Sequence, residues 1–274
     1  MQENLPWTPP SGPLGRLSRA ALERAELLLP RRAELRDRAR DAAPRPSLAQ
    51  ALRGGETVAI IAEIKRRSPS KGVINAAIDA GDRSRLYAES GARALSILTE
   101  PAEFGGSADD LRMVAGQVAI PLLKKDFHVH EVQVWEARAL GASAMLFIAR
   151  ALAPDMLRRL VDLAVEAGVE PLIEIRSEAE LEVALTTPAQ AIGVNARDLE
   201  TLVVDAAVTE RVLPRIPEDR IRVAESGMAT PRDVARAASL GAHAALIGSS
   251  LSAAADPAAT LRALAGVARG GHGG

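Results

Sequence analysis

The stretch Ile60-Ile61-Ala62-Glu63-Ile64-Lys65-Arg66-Arg67-Ser68-Pro69-Ser70-Lys71-Gly72 decides how this chain is read. It opens as an apolar run suited to a buried strand. Glu63 and Lys65 stand two residues apart, and side chains two apart on a strand share a face. A buried strand that aims a carboxylate and an ammonium the same way carries either a structural ion pair or catalytic groups. The following Ser68-Pro69-Ser70-Lys71-Gly72 supplies hydroxyls, backbone donors and positive charge, a loop suited to phosphate.

Seven further runs follow the same plan: Ala94–Glu100, Pro121–Phe127, Ala144–Arg150, Glu170–Arg176, Gln190–Arg197, Ile221–Gly227 and His243–Ser250. With Val58–Lys65 they make eight. Most are near-continuous apolar runs, the pattern of parallel strands covered on both faces. The intervening segments carry helix signals. Ser177 and Glu180 have capping-box spacing, and Thr230-Pro231 and Asp256-Pro257 place a cap before proline. Gly91, Gly141, Gly168 and Gly241 stand where helices end. Eight strand–helix units predict an α/β fold, a closed (β/α)8 TIM barrel with an N-terminal helical extension. An open doubly wound sheet would need a Gly-rich dinucleotide turn after the first strand, and Ser68–Gly72 is not one.

The pattern divides the chain into an extension over residues 1–56, a catalytic barrel over 57–268 and a flexible Gly-rich tail over 269–274. Leu17–Ala42 reads as helix, packed across an end or side of the barrel. Its arginines between Arg31 and Arg40 are balanced by Glu34, Asp37 and Asp41, as on a solvated helix face.

The 274 residues are 47% hydrophobic with net charge −1, which gives no reason to expect a nucleic-acid or membrane partner. No apolar run is long enough to span a bilayer, and no secretory signal opens the chain. The cytoplasm is therefore the expected compartment. The absence of cysteine excludes disulfides, thiolate metal sites and a cysteine nucleophile.

Chemistry in such barrels gathers where the strands end. Here the ends carry Glu63 and Lys65; Lys124, Lys125 and Asp126; Glu174; Asn195 and Arg197; Glu225 and Ser226. Charged groups are rarely buried without a partner or a purpose, so the set predicts one convergent pocket. Glu225-Ser226-Gly227 and Ile247-Gly248-Ser249-Ser250 close the last two strands, where barrels bind phosphate. Ser68 and Lys65 stand ready to complete that cradle from the first strand. His128-Val129-His130 lacks a third ligand nearby and reads as solvated loop surface rather than a metal pair. No metal site is expected.

These motifs resemble the indole-3-glycerol phosphate synthase family of tryptophan biosynthesis. The resemblance runs from about Ala59 to Leu264. It rests on Ile-Ala-Glu-Ile-Lys-Arg-Arg-Ser-Pro-Ser-Lys-Gly from Ile61, Leu-Ser-Ile-Leu-Thr-Glu from Leu95, Phe-Gly-Gly-Ser from Phe104 and Pro-Leu-Leu-Lys-Lys-Asp-Phe from Pro121. Leu-Ile-Glu-Ile from Leu172, Gly-Val-Asn-Ala-Arg-Asp-Leu from Gly193, Ala-Glu-Ser-Gly from Ala224 and Leu-Ile-Gly-Ser-Ser from Leu246 complete it. It implies closure of a pyrrole ring on 1-(2-carboxyphenylamino)-1-deoxyribulose 5-phosphate, with loss of carbon dioxide and water and with no cofactor. It further implies Lys125 as general acid, Glu174 as general base or acid, and Lys65 as second acid or carboxylate contact. Glu63 and Asn195 would hold substrate hydroxyls and neighbouring lysines. Glu225 and Ser226 would floor the site, and Arg197 would take the benzoate carboxylate. Phe104 and Phe127 would wall the aromatic ring, while Ser68, Gly227, Gly248 and Ser249 would hold phosphate. The expected partner is a phosphorylated small molecule, with room for contacts to other tryptophan-pathway enzymes.

Four departures stand out: the N-terminal segment Met1–Gly55 matches the family poorly, and three lie within the barrel. Ala196 replaces a usual asparagine, Arg176 stands where histidine is common, and His128 and His130 occupy a usually apolar or acidic stretch. Two related barrels fit less well. Phosphoribosylanthranilate isomerase uses a cysteine base, and the sugar-isomerising barrels of histidine biosynthesis use aspartates where Glu63 and Glu174 stand. A non-catalytic barrel that binds a phosphorylated metabolite is the alternative from another class.

Overall fold

The strands alternate two kinds of apolar surface, and both are covered. In the computed structural model, which describes residues 7–270, eight parallel strands close into a barrel: β1 (Ala59–Ile64), β4 (Ala94–Leu98), β5 (Leu122–Lys125), β6 (Ala144–Ile148), β7 (Glu170–Ile175), β8 (Ala191–Asn195), β9 (Ile221–Glu225) and β10 (Ala244–Ile247). Two short strands, β2 (Arg67–Ser68) and β3 (Gly72–Val73), form a hairpin after β1. Closure is made by β1, which pairs with β4 on one side and with β10 on the other.

Each strand lies within one of the eight runs read from sequence. Lys65, Glu100 and Arg197 fall beyond the strands in loops, and Arg150 falls in a 3-10 turn (Ala149–Ala151). Inward residues such as Ile61, Leu123, Leu172 and Val223 fill the barrel. Outward residues such as Ile60, Leu95, Phe147 and Ile192 pack under the helices.

Local chemistry sets the helix ends. Thr230 and Asp233 form a full capping box at α10 (Pro231–Ser239). At α8 (Glu178–Leu185) Ser177 accepts from the Glu180 N–H, but the Glu180 carboxylate takes the Arg176 N–H, so the reciprocal half is shifted by one residue. The four helix-ending glycines all have φ between +71° and +101°, where a side chain would be strained.

The N-terminal extension differs from the single helix expected over Leu17–Ala42. It forms α1 (Pro13–Leu28), a 3-10 turn (Leu29–Arg31) and α2 (Arg32–Asp41). Pro30 lacks an N–H and its ring clashes with the preceding turn, which divides the helix there. Helix α1 crosses the mouth at the strands' C-terminal ends. Its Leu14, Leu17 and Ala21 are buried with the barrel interior, and Leu14 N–H donates to Leu199 O at 3.1 Å. Helix α2 lies against α6 (Val132–Ala139), where Leu35 packs with Val132 and Trp135. A third helix, α3 (Leu48–Arg53), plugs the opposite end. Leu48 and Leu52 are buried against Ala59, Ala94 and Ile221, and Ala49 N–H donates to the Glu170 carboxylate at 2.7 Å.

At the other terminus Ala268 bridges Thr57, and Arg269 N–H donates to Glu56 O at 2.8 Å. Residues 271–274 of the segment read as a tail lie outside the described residues. Among the described residues no helix is long and apolar enough to cross a membrane.

The plug at the lower end makes a stability prediction. Leu48→Ala removes a fully buried side chain and is expected to destabilise the protein by about 2–5 kcal/mol. Urea unfolding would measure the loss. A change under about 0.5 kcal/mol, ordinary for a surface site, would show that α3 does not hold the barrel end.

Candidate active site

Strand alternation puts an apolar layer and a charged layer on the same inward face. Below Glu63 on β1 lie Ile61 and Ala59, below Lys125 lies Leu123, below Glu174 lies Leu172, and below Glu225 lie Val223 and Ile221. The last inward position of several strands is therefore ionisable. These groups meet in a pocket of about 850 Å³ at the C-terminal mouth. It brings together Glu63, Lys65, Ser68, Phe104, Lys125, Phe127, Glu174, Asn195, Arg197, Glu225, Ser226 and Ser249, twelve of the fourteen residues expected there.

Lys125 is the hub. Its Nζ lies 3.2 Å from Glu174 Oε2 and 3.8 Å from Glu225 Oε2. Burial opposes its charge, but Glu174, Glu225 and Glu63 together outweigh burial and raise its pKa. The side chain keeps 16% of its surface exposed at the pocket floor, so a ligand can reach it. Asn195 Nδ2 donates to Glu174 Oε1 at 2.9 Å, and Ser226 Oγ donates to Asn195 Oδ1 at 2.8 Å. This chain of bonds fixes the Glu174 carboxylate opposite the ammonium.

A second pair sits alongside. Lys65 Nζ is 3.2 Å from Glu63 Oε1, and Ser96 Oγ donates to Glu63 Oε2 at 3.3 Å. Glycines provide the room: a Cβ at Gly193 would collide with the Glu225 carboxylate, and one at Gly248 with that of Glu63. Glu225 Oε1 is buried with no hydrogen-bond partner. Burial first, then the Glu174 charge, push the Glu225 carboxyl up to about 8, against the pull of Lys125.

The pocket's apolar side is a wall. Phe104 and Phe127 have centroids 6.3 Å apart at 43°, and Lys65 Nζ lies 5.3 Å over the Phe104 ring. Leu17 of α1 and Leu146, Ile148, Leu199 and Leu202 complete it. The Phe104 loop is held by Glu100, which accepts the N–H groups of Ala102, Glu103 and Phe104. Arg24 of α1 reaches this region, pairing with Asp126 at 2.7 Å and Glu100 at 3.7 Å.

Next to the wall runs a cleft of about 830 Å³ lined by Gly227, Gly248, Ser249, Lys71 and Arg197. It shares Glu63, Lys65, Arg197, Ser226, Leu246 and Ser249 with the main pocket, so the two are one continuous site. Gly227, Gly248 and Ser249 come together here as expected of an anion end. Ser68 lines the main pocket instead, and its Oγ accepts the Lys71 N–H at 3.2 Å. Arg197 pairs with no carboxylate among the described residues; its Nη1 donates to Leu202 O at 2.8 Å. Burial lowers its pKa.

The arrangement sets two lysine–carboxylate pairs, an aromatic wall and a glycine-lined end in one continuous cleft. The family model for indole-3-glycerol phosphate synthase matches residues 17–264. The chain belongs to the indole-3-glycerol phosphate synthase family. It is 48% identical to an indole-3-glycerol phosphate synthase from a Nocardioides species over 208 residues, covering 76% of this chain and 80% of that protein. It is 45% identical to indole-3-glycerol phosphate synthase 1 of Streptomyces coelicolor over 239 residues, covering 87% of this chain and 88% of the relative. Among solved structures it is similar to 3-hexulose-6-phosphate synthase from Salmonella typhimurium, with TM-score 0.62 and 12% identity over 76% of this chain and 97% of that one. At that identity the likeness speaks for the barrel alone.

Within the synthase frame two sequence readings change. His128 is not solvated surface. It is buried, its Nδ1–H donates to Leu146 O at 2.6 Å, and its Nε2 lies 3.3 Å from Lys124 Nζ. Burial and the Lys124 charge push its pKa down to about 3. Lys124 was grouped with the strand-end residues, but it points away from the barrel interior and pairs with Glu136 of α6 at 3.0 Å. The period of two carries this: if Lys125 faces in, Lys124 faces out. His130 caps α6 locally, accepting the Val132 N–H at 3.1 Å.

Sequence reasoning did not assign the α1 face to the site. The signal was present in Leu14, Leu17, Ala21 and Arg24, spaced to share one helix face. Lys71 was noted for its charge but not assigned.

The raised Glu225 carboxyl makes a pH prediction. Its ordinary value is 4.5, so between 4.5 and about 8 the folded state holds a proton that the unfolded chain has released. That stabilisation is complete below 4.5 and is lost as pH rises through about 8. Glu225→Gln stays neutral throughout, so its stability relative to wild type should climb across this window. Urea unfolding at several pH values would measure it, and parallel curves would contradict the assignment.

Proposed function

We propose that this chain closes the pyrrole ring of 1-(2-carboxyphenylamino)-1-deoxyribulose 5-phosphate, giving indole-3-glycerol phosphate, carbon dioxide and water. Family membership and the placement of Lys125 between Glu174 and Glu225 support the reading. The ring carbon that bears the carboxylate attacks the ketone carbon, and Lys125 gives its proton to the carbonyl oxygen as that oxygen gains charge. Loss of carbon dioxide from the same ring carbon restores aromaticity. The new hydroxyl then leaves as water, with Lys65 as the second acid, while Glu174 removes the carbon-bound proton that completes the pyrrole.

The remaining residues bind and orient. Glu63 steadies Lys65 and a substrate hydroxyl, and Asn195 with Ser226 steadies Glu174. Phe104 and Phe127 hold the aromatic ring, and Arg197 takes the benzoate carboxylate, to which its planar fork is suited. Gly227, Gly248 and Ser249 take the phosphate, with Ser68 ordering the Lys71 turn beside it. The reading invokes no metal or organic cofactor and assigns residues 57–268 as the catalytic barrel, acting in the cytoplasm. It assigns no surface to other tryptophan-pathway enzymes.

Formation of the fluorescent indole product from the substrate tests the proposal. Lys125→Ala is expected to lower kcat by ~10²–10⁴-fold, the usual contribution of a positioned proton donor, and Glu174→Gln to suppress turnover comparably. A folded Lys125→Ala protein within a few-fold of wild type would remove Lys125 as the acid. Folded wild-type protein that binds the substrate without turning it over would favour the non-catalytic barrel.

A further inference from the structure

Two residues other than glycine have a left-handed backbone among those described: Ser226 at φ +62° and Leu202 at φ +65°. Such a conformation is unfavourable by roughly 1–2 kcal/mol for an L-residue, and it persists only where the surroundings hold it. Both residues bear on Arg197, Leu202 through the guanidinium and Ser226 through the acceptor it shares with the Arg197 N–H. Ser226 Oγ and the Arg197 N–H both donate to Asn195 Oδ1, at 2.8 and 2.9 Å. The Leu202 carbonyl accepts from Arg197 Nη1 at 2.8 Å.

The turn that carries Leu202 is closed by its own bonds. Asp198 Oδ1 accepts the N–H groups of Glu200 at 2.8 Å and Thr201 at 3.3 Å. Leu202 N–H donates to Asp198 O at 2.7 Å, and Asp198 N–H to Val203 O at 2.8 Å. From outside, Arg150 pairs with Glu200 at 2.7 Å. Apolar burial of the following residues does not explain the conformation, because Val203 and Val204 are exposed.

We propose that the Asp198–Leu202 turn positions Arg197, with the left-handed Leu202 carbonyl as the group that aims the guanidinium, and thereby sets recognition of the substrate's benzoate carboxylate. The physical logic lies in the kind of partner. A carboxylate aimed at Arg197 would orient it and also neutralise it. A backbone carbonyl orients it through one hydrogen bond and leaves its charge and its other donors for an incoming anion. Asp198 and Leu202 are positioning residues in this account, since they act through Arg197. The inference rests on the assignment of Arg197 to the carboxylate.

Two ligands separate the effect from general damage. The ketone-reduced substrate analogue keeps carboxylate and phosphate and cannot cyclise. The product keeps the phosphate and has lost the carboxylate. Leu202→Ile preserves volume and polarity but is β-branched, so it disfavours positive φ. By calorimetric titration it is expected to weaken the reduced analogue roughly tenfold, as for a misaligned hydrogen bond to a charged group, and the product by less than about twofold. Leu202→Gly accepts φ +65° freely. It loses only the apolar wall, so it should weaken both ligands alike and keep their ratio. Asp198→Ala, which frees the turn without touching the pocket wall, should reproduce the Leu202→Ile pattern and carries the test if that variant does not fold.

Arg197→Met is the reference. If it separates the two ligands while Leu202→Ile and Asp198→Ala do not, the turn is structural only and the inference is wrong. If Arg197→Met itself fails to separate them, the carboxylate is held elsewhere and the inference falls with that assignment. The turnover experiment would still judge the activity independently.

Discussion

The Lys125 ammonium, held at the barrel floor between Glu174 and Glu225, is the interaction on which the rest of the site depends. An ionised group leaves water at a large penalty unless it finds opposite charge and hydrogen bonds. Around this layer stand the carboxylates Glu63, Glu174 and Glu225 against the ammoniums Lys65 and Lys125, three against two. The raised Glu225 carboxyl answers that excess, because burial and the Glu174 charge favour a proton there over a further buried negative charge. The protein thus balances its own inward charges without using Arg197, which faces the pocket unmatched by any described carboxylate. A substrate with a benzoate and a phosphate brings the anions that this balance leaves unmet.

Backbone geometry makes room for that balance. Three carboxylates fit at the top of a closed barrel because Gly193 and Gly248 present no Cβ toward Glu225 and Glu63. The apolar layer beneath, together with Leu48 and Leu52 of α3, closes the interior from below. The charged layer is open only upward, where α1 supplies Leu17 to the wall. A dry floor strengthens every electrostatic term above it. The same extension therefore serves both ends of the barrel: α3 seals the lower, and α1 narrows the upper.

The strands and most of the site were legible because parallel strands buried on both faces read as continuous apolar runs, and a strict period of two assigns each strand-end residue to one face. Lys125 inside and Lys124 outside follow from that rule. The buried state of His128 does not follow so directly. It depends on Lys124 and the Leu146 carbonyl, contributed by β5 and its neighbour β6, and a loop histidine carries no local sign of such partners. The break at Pro30 carried its own signal, since a proline inside a helical pattern interrupts it. The left-handed turn at Leu202 was not legible, because leucine gives no signal for positive φ. Its conformation is imposed by Asp198 and by the bond to Arg197.

The direction of the Lys125 shift bears on how an acid of this kind works. A lysine whose pKa is raised by neighbouring carboxylates is a poor donor to a ketone in its ground state. It becomes an effective donor only as the oxygen gains alkoxide character and its basicity overtakes that of the amine. The ammonium therefore interacts more strongly with the transition state than with the bound ketone, which is the condition for accelerating the step rather than merely tightening binding. Once the proton has left, a neutral amine sits beside carboxylates that favour the charged form. Glu225, whose carboxyl holds its proton up to about 8 and lies within 3.8 Å, is a stronger acid than the lysine it would refill. In the role proposed for it, Lys125 would regain a proton because the carboxylates that raise its pKa favour its charged form.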